Sequence, residues 1–138
     1  MYDLKGLPEV LSESDYVIVT PPLTDETRRL FGRDAFRLMK RTAYFVNIGR
    51  GGTTDTEALI EALKEGTIAG AGLDVFEQEP LPPDSPLWEL EQVIITPHNS
   101  GATEVYDERA FEIFARNLQE YLHGREPSLN RVDLIKQY

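Results

Sequence analysis

Short apolar runs alternate along the chain with amphipathic stretches, the pattern of a parallel sheet built from strand–helix units. Residues 7–14 read as a short helix, and residues 16–20 (Tyr-Val-Ile-Val-Thr) as a strand that stops at Pro21-Pro22. Thr24-Asp25-Glu26-Thr27 offers an N-cap, which predicts a helical region running on towards Met39-Lys40. Residues 43–48 form the second predicted strand. Thr54 or Asp55 caps the next helix, whose apolar face is Ala58, Leu59, Ala62 and Leu63, with Gly66 closing it. Residues 68–75 form the third strand, where Ala69-Gly70-Ala71-Gly72 implies close approach of backbones. The proline-rich residues 80–86 make a loop, residues 87–90 a turn, and residues 93–96 the fourth strand. A long helix is predicted over residues 103–123, its apolar face including Val105, Ala110, Phe111, Phe114, Leu118, Tyr121 and Leu122. The last fourteen residues look irregular.

Strands that are apolar almost throughout imply an α/β fold whose parallel sheet is covered on both faces. In such sheets ligands bind beyond the carboxyl ends of the strands. That rule sets Pro21, Arg50, Asp74 and His98 along one rim. Arg50, Glu79 and His98 stand near three strand ends, and together they suit hydride transfer to a carbonyl. A guanidinium holds a carboxylate through parallel hydrogen bonds and polarises the neighbouring C=O. An imidazolium donates the proton the new alkoxide needs, and a buried carboxylate keeps that ring oriented and more basic.

Composition narrows the alternatives. A chain of 138 residues allows one domain with a real core. Its net charge of −10 argues against binding to nucleic acid, which needs lysine and arginine to neutralise phosphates. No apolar run approaches the roughly 20 residues of a membrane span, and the first residues lack the look of a signal peptide. The expected location is cytoplasmic. The absence of cysteine removes thiol catalysis and thiolate metal sites. His98 has no second histidine at ligand spacing, so no metal is expected. His123 lies at a helix C-terminus, where a cation is favourable, and receives no chemistry. Trp88 reads as packing beneath the proline loop. Gly49, Gly51 and Gly52 lack the following pattern of a phosphate cradle.

Four ordered strings carry a family resemblance. They are Ser14-Asp15-Tyr16-Val17 leading to Pro22-Leu23-Thr24-Asp25-Glu26-Thr27; Asn47-Ile48-Gly49-Arg50-Gly51-Gly52; residues 69–80, ending Asp74-Val75-Phe76-Glu77-Gln78-Glu79-Pro80; and Thr96-Pro97-His98-Asn99-Ser100-Gly101. From Leu7 to about Gly124 the chain closely resembles the D-isomer-specific 2-hydroxyacid dehydrogenases, the family of phosphoglycerate dehydrogenase and glyoxylate/hydroxypyruvate reductase. The resemblance implies Arg50 as ligand of the substrate carboxylate and carbonyl, His98 as general acid and base, and Glu79 as partner of His98. It implies NAD or NADP as cofactor, contacted by Pro21, Asn47, Ile48, Gly49, Asp74, Ser100 and Gly101, with Asp74 on the nicotinamide carboxamide. Glutamate at position 79 favours a hydroxyacid over formate, whose oxidation releases no substrate proton. Asn99-Ser100-Gly101 departs from the glycine pair usual after the histidine, which leaves the subfamily open.

No glycine-rich dinucleotide fingerprint precedes these segments. The chain is therefore expected to be the C-terminal part of a partial Rossmann-like NAD(P)-binding domain over residues 1–124, its four strands the last of a longer sheet. Residues 125–138 would be a tail leading towards a substrate domain. Alone, it would be inactive. The expected partners are a small 2-oxo or 2-hydroxy acid and either a second copy or a complementary N-terminal half, joined through the edge at residues 16–20. The alternative class is a non-enzymatic NAD-binding or corepressor protein that keeps the same three residues. The acidic composition and the lack of a visible recruitment segment count against it.

Overall fold

Four parallel strands lie side by side in sequence order: β1 (Tyr16–Val19), β2 (Tyr44–Asn47), β3 (Gly70–Leu73) and β4 (Val93–Ile95). The computed structural model of the chain describes residues 4–138, so the expectation drawn from the first residues falls partly outside it. Helices α1 (Leu7–Glu13), α2 (Arg33–Leu38) and α3 (Thr56–Lys64) precede or connect the first three strands. The strands are shorter than the apolar runs that announce them, because pairing ends where the chain turns towards the rim.

Alternation along the strands decides the core. Val17, Val19, Phe45, Ala71 and Leu73 point to one face and are buried with Leu11 of α1, Phe36 of α2 and Leu59 of α3. Phe45 is central. Its ring meets Phe31 at 5.3 Å and Phe36 edge-on at 5.1 Å between centroids.

The opposite face differs from the expectation of a sheet covered on both sides. Tyr16 is 66% exposed, Ile18 61% and Ile94 72%, although all three sit in strands. Successive crossovers of one hand in one direction deliver their helices to the same side of the sheet, and α1 to α3 do so here. Tyr16 stacks on Tyr44 across the open face at 5.7 Å. Close backbone approach is met at Gly70, where a Cβ would lie 2.6 Å from the Gln92 carbonyl and 2.9 Å from the Tyr44 ring.

The helix predicted from Thr24 does not form. Thr24 and Thr27 close a turn through their hydroxyls, and Arg29 adopts φ +51°. Arg29 N–H then donates to Gly52 O and Phe31 N–H to Thr53 O. Pairing with the loop after β2 thus takes donors that a helix would have used, and α2 begins only at Arg33. Of the two candidate caps for α3, Asp55 serves: its carboxylate accepts from Ala58 N–H at 3.1 Å.

The chain divides into two units, Met1–Ser100 and Gly101–Tyr138. The second holds α4 (Tyr106–Leu122) and the irregular tail. The tail folds back on the helix through Asn117, which exchanges two hydrogen bonds with the Leu129 backbone, and through Glu120, which accepts from Ser128. No residue of α4 is buried; its predicted apolar face, Phe111, Phe114, Leu118, Tyr121 and Leu122, is exposed. Among the described residues no helix is long and apolar enough to cross a membrane.

The two faces of the sheet should respond differently to truncation. Phe45→Ala is expected to cost about 3–5 kcal/mol in urea denaturation, as for other buried aromatics. Ile18→Ala, on the open face, is expected to change stability by about 0.5 kcal/mol or less. Equal losses would mean that both faces are core.

Candidate active site

The first strand end is set by Asn47. Its side chain is 1% exposed, and its amide donates to the Thr53 and Thr54 hydroxyls at 3.2 and 3.0 Å while its oxygen accepts from Gly49 N–H. These bonds curl the chain from β2 into a 3-10 turn at Gly51–Thr53 and turn Arg50 outward. Asn47 is thereby placed inside the loop rather than on the cleft wall. Gly51 is obligatory, because a Cβ there would lie 1.9 Å from the carbonyl carbon and oxygen of Phe76. One nitrogen of the exposed Arg50 guanidinium donates to Gly49 O at 2.8 Å.

The third strand supplies two carboxylates with different work. Asp74 is 2% exposed and accepts three hydrogen bonds: the Thr96 hydroxyl at 2.5 Å and Asn99 N–H at 2.9 Å on Oδ1, and Ser100 N–H at 2.9 Å on Oδ2. Burial pushes its carboxyl up, but the bonds from Ser100, Thr96 and Asn99 outweigh this and hold it well below the usual carboxylate range. Both carboxylate oxygens of Asp74 are thus engaged within the chain. They clamp the turn on either side of His98, whose backbone sits at φ +53°.

Glu79 reaches that histidine directly. Its Oε2 lies 2.7 Å from His98 Nδ1, and its Oε1 accepts from Phe76 N–H at 2.9 Å. The pair is not buried; the side chains are 36% and 48% exposed. Partial burial pushes the Glu79 carboxyl up, but the hydrogen bonds from His98 and Phe76 and the positive charges of His98 and Arg50 bring it below its ordinary value.

Glu77 was not singled out by sequence. Its carboxylate accepts from Arg29 Nε at 3.0 Å and from Thr56 N–H, at the start of α3, at 2.8 Å. It therefore ties three loops together. No local signal distinguishes it from Glu79, two residues on; only the partners do.

A cleft of about 510 Å³ is lined by Arg28, Arg29, Arg50, Glu77, Glu79 and His98, with Leu23 and Phe76 as its apolar floor. That volume lies in the ordinary range for small-molecule sites. The structure thus brings Arg50, Glu79 and His98 to one cleft. A neighbouring cavity of about 640 Å³ shares Phe76, Glu79 and His98 and is walled by Leu81, Trp88 and Pro97. Trp88 is exposed and braces the proline loop by donating to Pro82 O at 2.9 Å. Pro21 and Gly49 meet at the ends of β1 and β2, where a Cβ on Gly49 would stand 3.1 Å from Pro21 O, and Ile48 beside them is exposed. Ser100 is held by Asp74, whereas Gly101 begins the second unit. His123 accompanies the C-terminus of α4, with Nδ1 2.7 Å from Gln119 O.

A parallel sheet in sequence order with connecting helices is a fragment of an α/β, Rossmann-like nucleotide-binding fold. The family described as D-isomer specific 2-hydroxyacid dehydrogenase, NAD binding domain, matches residues 1–100, and the chain belongs to it. Proteins described as glyoxylate reductase from Korarchaeum cryptofilum and Thermofilum pendens are 48% and 50% identical over 94% and 97% of the chain. The chain spans only 40% of the length of each of these relatives. The D-isomer specific 2-hydroxyacid dehydrogenase of Xanthobacter autotrophicus Py2, solved with NADPH and MES, is 42% identical with a TM-score of 0.89, covering 98% of this chain and 55% of that one. The NADPH-dependent glyoxylate/hydroxypyruvate reductase of Sinorhizobium meliloti, solved with NADP and sulfate, is 35% identical with a TM-score of 0.87, over 99% of this chain and 44% of that one.

The clamp at Asp74 has a measurable signature. A carboxyl whose folded pKa lies below its unfolded value gives stability that is complete above the unfolded value and is lost as pH falls towards the folded one. Asp74→Asn is expected to cost about 1–3 kcal/mol at pH 7 by leaving buried donors unsatisfied. It should also flatten the decline in stability below about pH 4, the unperturbed aspartate value. Urea titrations at pH 7 and pH 3 test both; parallel declines in parent and variant would remove Asp74 from the acid transition.

Proposed function

We propose that the chain carries the proton-transfer and substrate-binding face of an NAD(P)-dependent 2-hydroxyacid dehydrogenase acting on a small 2-oxo acid or its 2-hydroxy product. The observation that carries this reading is the 2.7 Å contact of His98 Nδ1 with Glu79 in a cleft that Arg50 also lines. The relatives described as glyoxylate reductase support a small acid as substrate.

The residue roles follow from that arrangement. His98 gives its Nδ1 proton to the hydrogen bond with Glu79, which leaves Nε2 to face the substrate oxygen. In reduction, protonated Nε2 gives its proton to the oxygen as the carbonyl becomes an alcohol; in oxidation the neutral nitrogen takes it back. Glu79 offsets the imidazolium charge and fixes the ring. Arg50 binds the substrate carboxylate and polarises the adjacent C=O, its planar fork suiting both oxygens. The turn clamped by Asp74 keeps His98 at a fixed height above the strand ends.

A bound nicotinamide dinucleotide supplies the hydride. Pro21, Ile48 and Gly49 would hold one end of it: Gly49 packs against Pro21 at the ends of β1 and β2, where a Cβ would stand 3.1 Å from Pro21 O, and Ile48 beside them is exposed. The pyrophosphate end needs a glycine-rich turn from strand to helix. No such motif occurs among the 138 residues. We therefore take residues 1–124 as the C-terminal part of the cofactor domain and residues 125–138 as a tail. By itself the chain should be inactive and bind NADH weakly. The edge of β1 and the open face beside it suit a complementary N-terminal half or, failing that, a second copy.

In a complete dehydrogenase carrying this segment, His98→Gln is expected to lower turnover roughly 10²–10⁴-fold with cofactor affinity little changed. Glu79→Gln should move the alkaline limb of carbonyl reduction to lower pH, since the imidazolium loses its anionic neighbour. Overlaid pH profiles would reduce Glu79 to a loop residue.

For the chain alone, ultracentrifugation at high micromolar concentration should find association, with slow amide exchange along residues 16–19. A monomer with fast exchange there would show that the edge is tolerated.

A further inference from the structure

Arg50 and His98 can act on one small molecule only if the loops that carry them are held in register. Neither side chain does this itself: the Arg50 guanidinium donates to Gly49 O in its own loop, and His98 pairs with Glu79. Between the two loops stands Glu77. Its Oε1 accepts from Arg29 Nε at 3.0 Å and lies 3.0 Å from Nη2 of the same guanidinium, while Oε2 accepts from Thr56 N–H at 2.8 Å. Arg29 in turn donates its backbone N–H to Gly52 O, two residues beyond Arg50, and its Nη1 lies 3.7 Å from Asp55.

Each end of this link reaches a group of the site by a short path. On one side, Arg29 and Thr56 bracket residues 52–56, which lead from the turn after Arg50 into α3. On the other, Phe76 donates its N–H to Glu79 Oε1 at 2.9 Å, and Glu79 holds His98. The Phe76–Glu77 peptide also abuts Gly51, where a Cβ would lie 1.9 Å from the Phe76 carbonyl and 2.6 Å from Glu77 N. That contact sets how closely the two loops approach, but it has no directional bond to stop them sliding. The Arg29–Glu77 pair supplies the direction. The Glu77 side chain is only 25% exposed, so the pair is screened less than one in open water. Arg29 presents its guanidinium from φ +51°, a conformation that a residue other than glycine keeps only where its surroundings hold it.

We propose that Arg29 and Glu77 are positioning residues: their ion pair sets the separation of Arg50 and His98 at which one 2-oxo acid meets both. This rests on the reading of the cleft as a 2-hydroxy acid site. The pair acts through the loops it joins and takes no part in proton transfer. Without it, Arg50 still binds a carboxylate, but the neighbouring oxygen no longer falls within reach of His98.

The test titrates two monoanions into the full 138-residue chain by NMR, at constant ionic strength and with the His98 ring signals in their protonated form. Acetate offers a carboxylate alone; oxamate adds a carbonyl oxygen beside it. In the parent, oxamate should shift both the Arg50 Nε–Hε signal and His98, and bind about fivefold more tightly than acetate, the scale of one added hydrogen bond. Arg29→Met and Glu77→Met should each bring that ratio close to one and leave His98 unshifted by oxamate. The two variants change the charge of the cleft in opposite senses, so a loss common to both is one of register and not of field. Since the ratio compares ligands of equal charge on one molecule, lower stability alone does not move it. Arg33→Met, which breaks the ion pair with Glu61 outside the cleft, should keep the ratio. Should Glu77→Met not fold, Arg29→Met decides alone. If a folded variant of the pair keeps the fivefold ratio, or if Arg33→Met loses it too, Arg29 and Glu77 do not position the site. If the parent itself shows no advantage for oxamate, the reading of the cleft as a 2-oxo acid site fails, and this proposal with it.

Discussion

A carboxylate in the interior must be ionised and saturated with hydrogen bonds, or it must take up a proton. Asp74 meets the first condition, and the rest of the site depends on how it does so. Its three donors come from Thr96, Asn99 and Ser100, so satisfying the charge fixes the chain on both sides of His98. A non-glycine residue in the left-handed region is disfavoured by sterics, and His98 stays there because the turn around it is over-determined. The placement of His98 and the burial of the charge are one interaction seen from two sides.

The other two strand ends are joined to this one by contact rather than by covalent proximity. Gly51 lets the loop after β2 press against the Phe76 carbonyl, and Glu77 links that region to Arg29 and to the start of α3. Arg50 and Glu79 therefore hold their places relative to each other through backbone packing, which is stiffer than a contact between long side chains at the surface. The pair formed by Glu79 and His98 is itself a third or more exposed, where ion pairs alone contribute little. Its geometry is set by the bonds beneath it. The pair is where the proposed chemistry happens, not what builds the site.

The sheet is finished on one side. Three helices cover Phe45 and its neighbours, while Tyr16, Ile18, Tyr44 and Ile94 leave apolar side chains in water on the other. Helix α4 is amphipathic in sequence, yet none of its residues is buried. Strand β1 adds an unpaired edge. Apolar surface of this kind is more than a monomer usually exposes.

Much is legible in the sequence. Apolar runs gave the four strands, and Asn47-Ile48-Gly49-Arg50, residues 74–79 and Thr96-Pro97-His98 marked the strand ends on which Arg50, Glu79 and His98 meet. These are short-range signals, because strand periodicity and turn residues act over a few positions. The helix expected after Thr24 failed for a long-range reason: Arg29 and Phe31 give their N–H groups to the loop at residues 52–53, more than twenty positions away. Glu77 and Glu79 look alike as a sequence, yet one holds Arg29 and the other His98. Asp74 appeared as a cofactor contact, and only its three donors disclosed the clamp. One-sided coverage of the sheet was equally hidden, since an apolar strand residue looks the same whether or not a helix lies over it. The sequence by itself determined which segments become strands and which residue types stand at their ends. Tertiary structure decided which hydrogen-bonding groups those residues spend on one another and which they leave for a ligand, because each donor can be committed only once and its partner is chosen in space.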